Sequence, residues 1–200
     1  MNAANMITIS RFPLLFVVAA LLYAPFPGSR SAAFILYLLT GFSDWADGYV
    51  ARRCAMVSNF GKFMDALSDK ILTLGLFILF LTIGVLPKPF LFAVLVILGR
   101  EFTITGLRLV AASRNVVIAA ERSGKIKTIF QMVSIGALIC AQAIRYDMHS
   151  MAHSGEFALA MWYFGIVLFA IAFYCAISSA IRYLVRYHSV FDGDGGSLGE

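Results

Sequence analysis

From Phe157 to Ile181 the chain carries no charged side chain. About 20 consecutive apolar residues, wound as a helix, cross the roughly 30 Å hydrocarbon core of a bilayer. Backbone polar groups find no water there, so a spanning segment must bond its own backbone as a helix. Five further apolar segments precede this one, giving spans at about 7–26, 32–52, 62–86, 89–112, 126–145 and 157–182. "APFPGSR" separates the first two, and "GVLPKPF", with Pro87 and Pro89, separates the third and fourth. The chain is 60% hydrophobic and 14% charged, with mean hydropathy +0.85. Soluble domains are about 45–50% apolar and about 25% charged. These features predict an all-α polytopic membrane protein, a six-transmembrane-helix bundle forming one membrane-embedded domain over residues 1–189. The Gly-rich, acidic "FDGDGGSLGE" reads as a disordered polar tail over 190–200.

The remaining composition narrows the class. Arg11 alone makes a weak n-region before the first apolar run, and no cleavage site leads into a soluble domain, so a signal peptide is not expected. Cys54, Cys140 and Cys175 lack metal-ligand spacing and read as small apolar thiols. The net charge of +5 reads as loop bias and contact with anionic lipid or phosphorylated substrate, not nucleic acid. With the N-terminus in the cytoplasm, thirteen Lys and Arg lie on or toward that side. Arg30, Lys88 and Arg145 lie toward the other. This bias predicts both termini on the cytoplasmic side of the membrane.

The acids of the first 100 residues are Asp44, Asp47, Asp65 and Asp69, all within "SDWADGYVARRCAMVSNFGKFMDALSDK". A helix sets i, i+3, i+4, i+7 and i+8 on one face. Asp44, Asp47, Gly48, Ala51 and Arg52 meet that condition, and Gly61, Asp65, Ser68 and Asp69 meet it one helix later. The intervening Arg53 to Phe60 is long enough to reverse the chain, so the stripes can converge. Four uncompensated carboxylates in one cleft repel and resist ionisation. Hard divalent cations resolve this, because Mg²⁺ and Mn²⁺ favour carboxylate oxygen and water. Two such ions about 3.5–4 Å apart suit phosphoryl chemistry. Gly48 and Ala51 admit close approach of a bulky ligand. The blander readings are small-residue helix packing and a solvated loop paired with Arg52, Arg53, Lys62 and Lys70. Matched helical spacing of all four acids weighs against both.

The stretch resembles the signature of the CDP-alcohol phosphotransferase family, D-x2-D-G-x2-A-R-x8-G-x3-D-x3-D. Asp44, Asp47, Gly48, Ala51, Arg52, Gly61, Asp65 and Asp69 fill its eight fixed positions. "NMITISRF" resembles the N-terminal N-x2-T-x2-R element of bacterial members. "REFTITGLRLVAA" and "GKIKTIFQM" resemble the fourth and fifth helices of the subgroup that makes phosphatidylglycerophosphate. The resemblance implies a six-helix membrane fold, usually homodimeric, with a cytoplasm-facing cavity. It implies transfer of a phosphatidyl group from CDP-diacylglycerol to sn-glycerol 3-phosphate, with release of CMP. By position it implies that Asp44, Asp47, Asp65 and Asp69 bind a pair of Mg²⁺ or Mn²⁺ ions and that Asp69 is also the general base. Asn5, Thr8, Asp44, Gly48, Ala51, Arg52 and Gly61 would meet the CDP moiety.

An acceptor that is itself a phosphate ester needs a cationic pocket. Arg100, Arg108, Lys125 and Lys127 are the candidates, since Arg100 and Arg108 lie in an apolar segment where charge is costly unless used. Their structural alternatives are an Arg100–Glu101 pair and ordinary cytoplasmic loop charge, to which Arg114 and Arg122 are assigned. His149, His153 and His188 fall on the far loop or the tail and read as interfacial or solvated. The rival readings are the same chemistry with inositol phosphate, serine or phosphatidylglycerol as acceptor, a divalent-cation channel or carrier, and a non-catalytic scaffold. A pore favours acids along its path, whereas these gather at one end.

Overall fold

The computed structural model describes the backbone of residues 3–54, 59–113, 122–151 and 153–186. The side chains of 3–12, 43–54 and 59–66 lie outside the described residues. So do those of Asp69, Leu109, Ala112, Ser113, Arg122, Ser123, Lys125, Leu184 and Arg186. The described chain is all helical, with six helices and no strand. In order these are α1 Ala3–Tyr23, α2 Ser29–Cys54, α3 Asn59–Thr82, α4 Phe90–Ser113, α5 Arg122–Asp147 and α6 Ser154–Arg186.

The six apolar segments each become a helix, with shifted ends. Helix α3 stops at Thr82 rather than 86 because Gly84 adopts φ +73°. The amides of Val85 and Leu86 then both bond the Phe80 carbonyl, closing the helix end before Pro87 and Pro89. Arg122, expected in a loop, begins α5, and α6 runs on to Arg186. The connection between α2 and α3 falls at residues 55–58, which lie outside the described residues. So do residues 187–200 with His188 and the expected tail, and Arg114 in the α4–α5 connection.

Helix α3 supplies much of the core through Leu72, Leu76, Phe77 and Phe80. Phe77 meets Phe169 of α6 edge to face, with centroids 4.9 Å apart, and Phe90 of α4 lies tilted against Phe169 at 5.5 Å. Helices α5 and α6 pack closely enough that Ser134 Oγ donates to the Gly165 carbonyl at 2.7 Å. A Cβ at Gly165 would come within 2.9 Å of Leu138. At the opposite end of the bundle from the acidic stretch, Asp147 of α5 caps α2, accepting from the Ser31 amide at 2.7 Å and the Ser31 hydroxyl at 2.8 Å. Arg30 stacks on Tyr146 beside it, 3.7 Å from the ring centroid.

The outer surface is greasy. Phe92 is 74% exposed and Tyr174 73%, and Phe16, Phe102 and Val167 also face outward. Among the described residues α4, α5 and α6 are long and apolar enough to cross a membrane, over Phe90–Arg108, Ile126–Asp147 and Ser154–Tyr183. Pro13–Tyr23 and Lys70–Thr82 form shorter apolar helices. Long apolar helices that present large apolar side chains outward are what a lipid solvent permits and water does not. The protein is a membrane protein. Cys140 and Cys175 are free thiols, as their scatter in the sequence predicts.

Candidate active site

Helix α2 is unbroken through residues 43–54, and α3 through 59–69. The condition on which the acid spacing rests, helical backbone at both pairs, therefore holds. The side chains of Asp44, Asp47, Gly48, Ala51, Arg52, Gly61, Asp65 and Asp69 lie outside the described residues, as do those of Asn5 and Thr8 on α1 and Lys125 on α5. As a donor set, four carboxylates suit Mg²⁺ or Mn²⁺, which take oxygen ligands. Among the described residues no group of three or more His, Cys, Asp or Glu could hold a metal.

Immediately beyond Asp69 the described chain shows what α3 brings to its neighbours. Ser68 is buried, and Lys70 donates to Thr105 Oγ1 of α4. Lys70 Nζ also lies 3.9 Å from Glu101 Oε2. Glu101 is 7% exposed and is the hub of a polar cluster in an otherwise apolar bundle. Arg100 Nη1 donates to its Oε1 at 2.8 Å, and the ammonium of Lys127, from α5 and 3% exposed, donates to the same oxygen. Arg100 Nη2 reaches α6 and donates to Ser179 Oγ at 2.8 Å. The Thr105 hydroxyl donates to the Glu101 carbonyl at 2.7 Å. Three helices thus meet at one carboxylate, and Arg100 links it to a fourth.

Why these residues meet follows from helix period. Glu101, Thr105 and Arg108 recur at i, i+4 and i+7 on α4, a single face. Lys127 stands one turn inside α5. Arg108 continues the same face but turns to α6, where Nη2 donates to the Tyr183 hydroxyl at 2.8 Å and the guanidinium lies 5.6 Å from the Tyr183 ring centroid. Of the four acceptor candidates, the fold brings Arg100 and Lys127 together and holds Arg108 on Tyr183.

Two members escape a reading of the sequence. Lys70 reads there as a solvated counter-charge to the aspartates, but it crosses to α4. Glu101 reads as half of a pair with Arg100, yet it serves three cations. The available signal was that Lys70 directly follows the last motif aspartate, on a helix that must pack against α4.

The electrostatic balance is distinctive. Among the described side chains of the cluster, Lys70, Arg100 and Lys127 stand against the one carboxylate of Glu101. The Nε atoms of Arg100 and Arg108 are buried and have no partner among the described residues. Guanidinium groups with a donor left over suit an anion rich in oxygen acceptors, and their geometry matches phosphate.

An apolar groove of about 580 Å³ opens between α2, α5 and α6, lined by Phe34, Tyr37, Leu38, Met132 and Phe164. It reaches Gly41 and Phe42, the last described side chains before the acidic stretch.

Comparison with known proteins accords with this arrangement. The family model for CDP-alcohol phosphatidyltransferase matches residues 1–177. A Bacillus subtilis protein named CDP-diacylglycerol–glycerol-3-phosphate 3-phosphatidyltransferase is 38% identical over 150 residues, covering 69% of this chain and 76% of its own. A Rickettsia typhi protein of the same name is 35% identical over 140 residues, with 69% and 76% covered. An Arabidopsis thaliana protein, the second of that name, is 31% identical over 154 residues, with 72% and 66% covered. With the signature filled, the backbone helical at each of its eight fixed positions and the family model spanning most of the chain, the protein belongs to the CDP-alcohol phosphatidyltransferase family.

Proposed function

We propose that this protein transfers the phosphatidyl group of CDP-diacylglycerol to sn-glycerol 3-phosphate, giving phosphatidylglycerophosphate and CMP. The observation that carries the acceptor assignment is the cluster of Lys70, Arg100 and Lys127 on the buried Glu101, with Lys70 one residue from Asp69. A phosphorylated acceptor needs such a pocket, whereas serine does not. The names of the similar proteins favour the same acceptor.

In this reading the cationic cluster binds the phosphate of the acceptor and aims its free hydroxyl at the lipid-bearing phosphorus. Asp69 takes the hydroxyl proton. The acceptor oxygen bonds to that phosphorus as the pyrophosphate P–O bond breaks, and CMP departs with the bond electrons. Asp44, Asp47, Asp65 and Asp69 would hold two divalent ions, Mg²⁺ or Mn²⁺. When bound, these supply positive charge that offsets the anionic pyrophosphate and the leaving phosphate. Asn5, Thr8, Gly48, Ala51, Arg52 and Gly61 would receive the CDP moiety, with small residues admitting it to the backbone. Lys125 would extend the acceptor pocket, and Arg108 would border it. The groove that ends at Phe42 would seat an acyl chain of the lipid substrate.

The reading extends to topology. All six helices cross the membrane, residues 1–189 form one catalytic domain with a polar tail over 190–200, and the protein is a homodimer. It resides in a bacterial inner membrane with both termini and the active site in the cytoplasm, as the distribution of Lys and Arg supports.

The test supplies purified protein with CDP-diacylglycerol, Mg²⁺ and each acceptor in turn, and measures CMP. Release with glycerol 3-phosphate and not with inositol phosphate, serine or phosphatidylglycerol is expected. Release with another acceptor alone moves the specificity, and release with none points to a cation carrier or scaffold.

A further inference from the structure

A second cavity lies at the other end of the bundle. It has a volume of about 510 Å³ and sits where the α3–α4 turn meets the last turns of α5 and the first turns of α6. Along α5, Gln142 is fifteen residues beyond Lys127, or about 22 Å at 1.5 Å per residue. The cavity therefore takes no part in the proposed reaction, and its assignment does not depend on that reaction.

Its walls are fixed. Trp162 lines it and donates from Nε1 to the Val85 carbonyl at 2.7 Å, tying α6 to the turn that Gly84 permits at φ +73°. Gly155 and Ala158, three apart on α6, keep the space open, and a Cβ at Gly155 would meet nothing within 4 Å.

Two polar side chains face this space. Gln142 and Arg145 stand three apart on α5 and both line it. Gln142 is only 9% exposed, and its carboxamide has no hydrogen-bond partner among the described residues. A carboxamide without a protein partner offers both a donor and an acceptor to a ligand in the cavity. Arg145 has no carboxylate partner among the described residues, and its guanidinium only skirts the Tyr146 ring at 5.9 Å. The nearby acids do not neutralise it. Asp147 is engaged by Ser31, and Glu156 lies on the first turn of α6 outside the cavity lining.

The surroundings identify the solvent from which a ligand comes. The cavity is at the end of the apolar spans Ile126–Asp147 and Ser154–Tyr183, the depth of lipid headgroups. Trp162, Tyr163 and Tyr146 gather there, as aromatic residues do at membrane interfaces. Leu159 lines the cavity and is 53% exposed, so the mouth opens onto the apolar outer surface.

We propose that this cavity binds the headgroup of an anionic phospholipid. The phosphodiester pairs with the guanidinium of Arg145, a headgroup hydroxyl or ester oxygen bonds the Gln142 carboxamide, and the acyl chains leave past Leu159. One guanidinium matches one phosphodiester charge, and a pocket of several hundred Å³ matches a headgroup with its glycerol.

The experiment uses the full-length protein in a neutral detergent, with melting followed on addition of phosphatidylglycerol, phosphatidylcholine or inorganic phosphate. Phosphatidylglycerol is expected to raise Tm by about 5 °C or more at saturation, with phosphatidylcholine and phosphate giving little. Arg145→Ala should lose most of that shift and Arg145→Lys should keep part of it. Gly155→Phe should fill the mouth and abolish the shift while leaving the lipid-free Tm unchanged. Binding of CDP-diacylglycerol with Mg²⁺ should survive in Arg145→Ala, because that site is at the other end. A shift that persists in both Arg145→Ala and Gly155→Phe overturns the site. An equal response to phosphatidylcholine overturns its charge selectivity, and an equal response to phosphate makes it a free-anion site.

Discussion

Glu101 receives three cations on two oxygens in a bundle that offers little water. Such a group is stable only while its partners stay. Removing the carboxylate charge from a buried cluster leaves cations uncompensated, a loss of about 3–5 kcal/mol. Glu101→Gln should therefore melt well below the parent protein and lose activity as Arg100 and Lys127 separate. Lys127→Ala leaves Glu101 with Arg100 and Lys70, so the fold should hold. Its apparent KM for glycerol 3-phosphate should rise about tenfold or more, a loss of about 1.4 kcal/mol or more in binding, and that for CDP-diacylglycerol should change little. Equal rises for both substrates would count against a phosphate pocket. Asp69→Asn should abolish transfer while metal-dependent binding of CDP-diacylglycerol persists. Near-normal turnover would remove Asp69 as the base.

At the scale of the element, the helices are placed by local contacts that a single side chain can disturb. The approach of α5 to α6 at Gly165 leaves no room for a methyl group, since it would meet Leu138 at 2.9 Å and the Ser134 carbonyl at 3.3 Å. Overpacking of this kind costs about 1–3 kcal/mol, and Gly165→Ala should lower the thermal midpoint accordingly. Asp147 fixes the start of α2 from the end of α5, and Asp147→Ala should cost about 0.5–2 kcal/mol through the lost cap. Because α2 carries two of the motif aspartates, a calorimetric scan of that variant should be paired with an activity assay. The existence and order of the helices were legible from apolar runs and from the Pro and Gly between them. Their ends were not, because an end is set by capping contacts such as those of Gly84 and Phe80, or Asp147 and Ser31, whose partners are remote or conformational.

For the whole molecule the bilayer is the decisive solvent. Val167 lies mid-way along the longest apolar span and faces outward, 54% exposed. Val167→Arg should cost about 2.5–3.5 kcal/mol on insertion scales and shift the protein from the membrane fraction to aggregates. A polar substitution at a similarly exposed position of a soluble helix would be harmless.

The sequence by itself determined the membrane class, the order of helices and the acidic signature. Each depends on short-range periodicity or on fixed gaps along one or two helices, so no packing knowledge was needed. The tertiary structure decided which cations serve the same anion. Lys70, Arg100 and Lys127 come from three helices and are separated by 30 and 27 positions, and their meeting at Glu101 depends on how α3, α4 and α5 pack. It also decided that Gln142 and Arg145 face an open cavity rather than a neighbouring side chain, since empty space is a property of the assembled bundle and of no single stretch of chain.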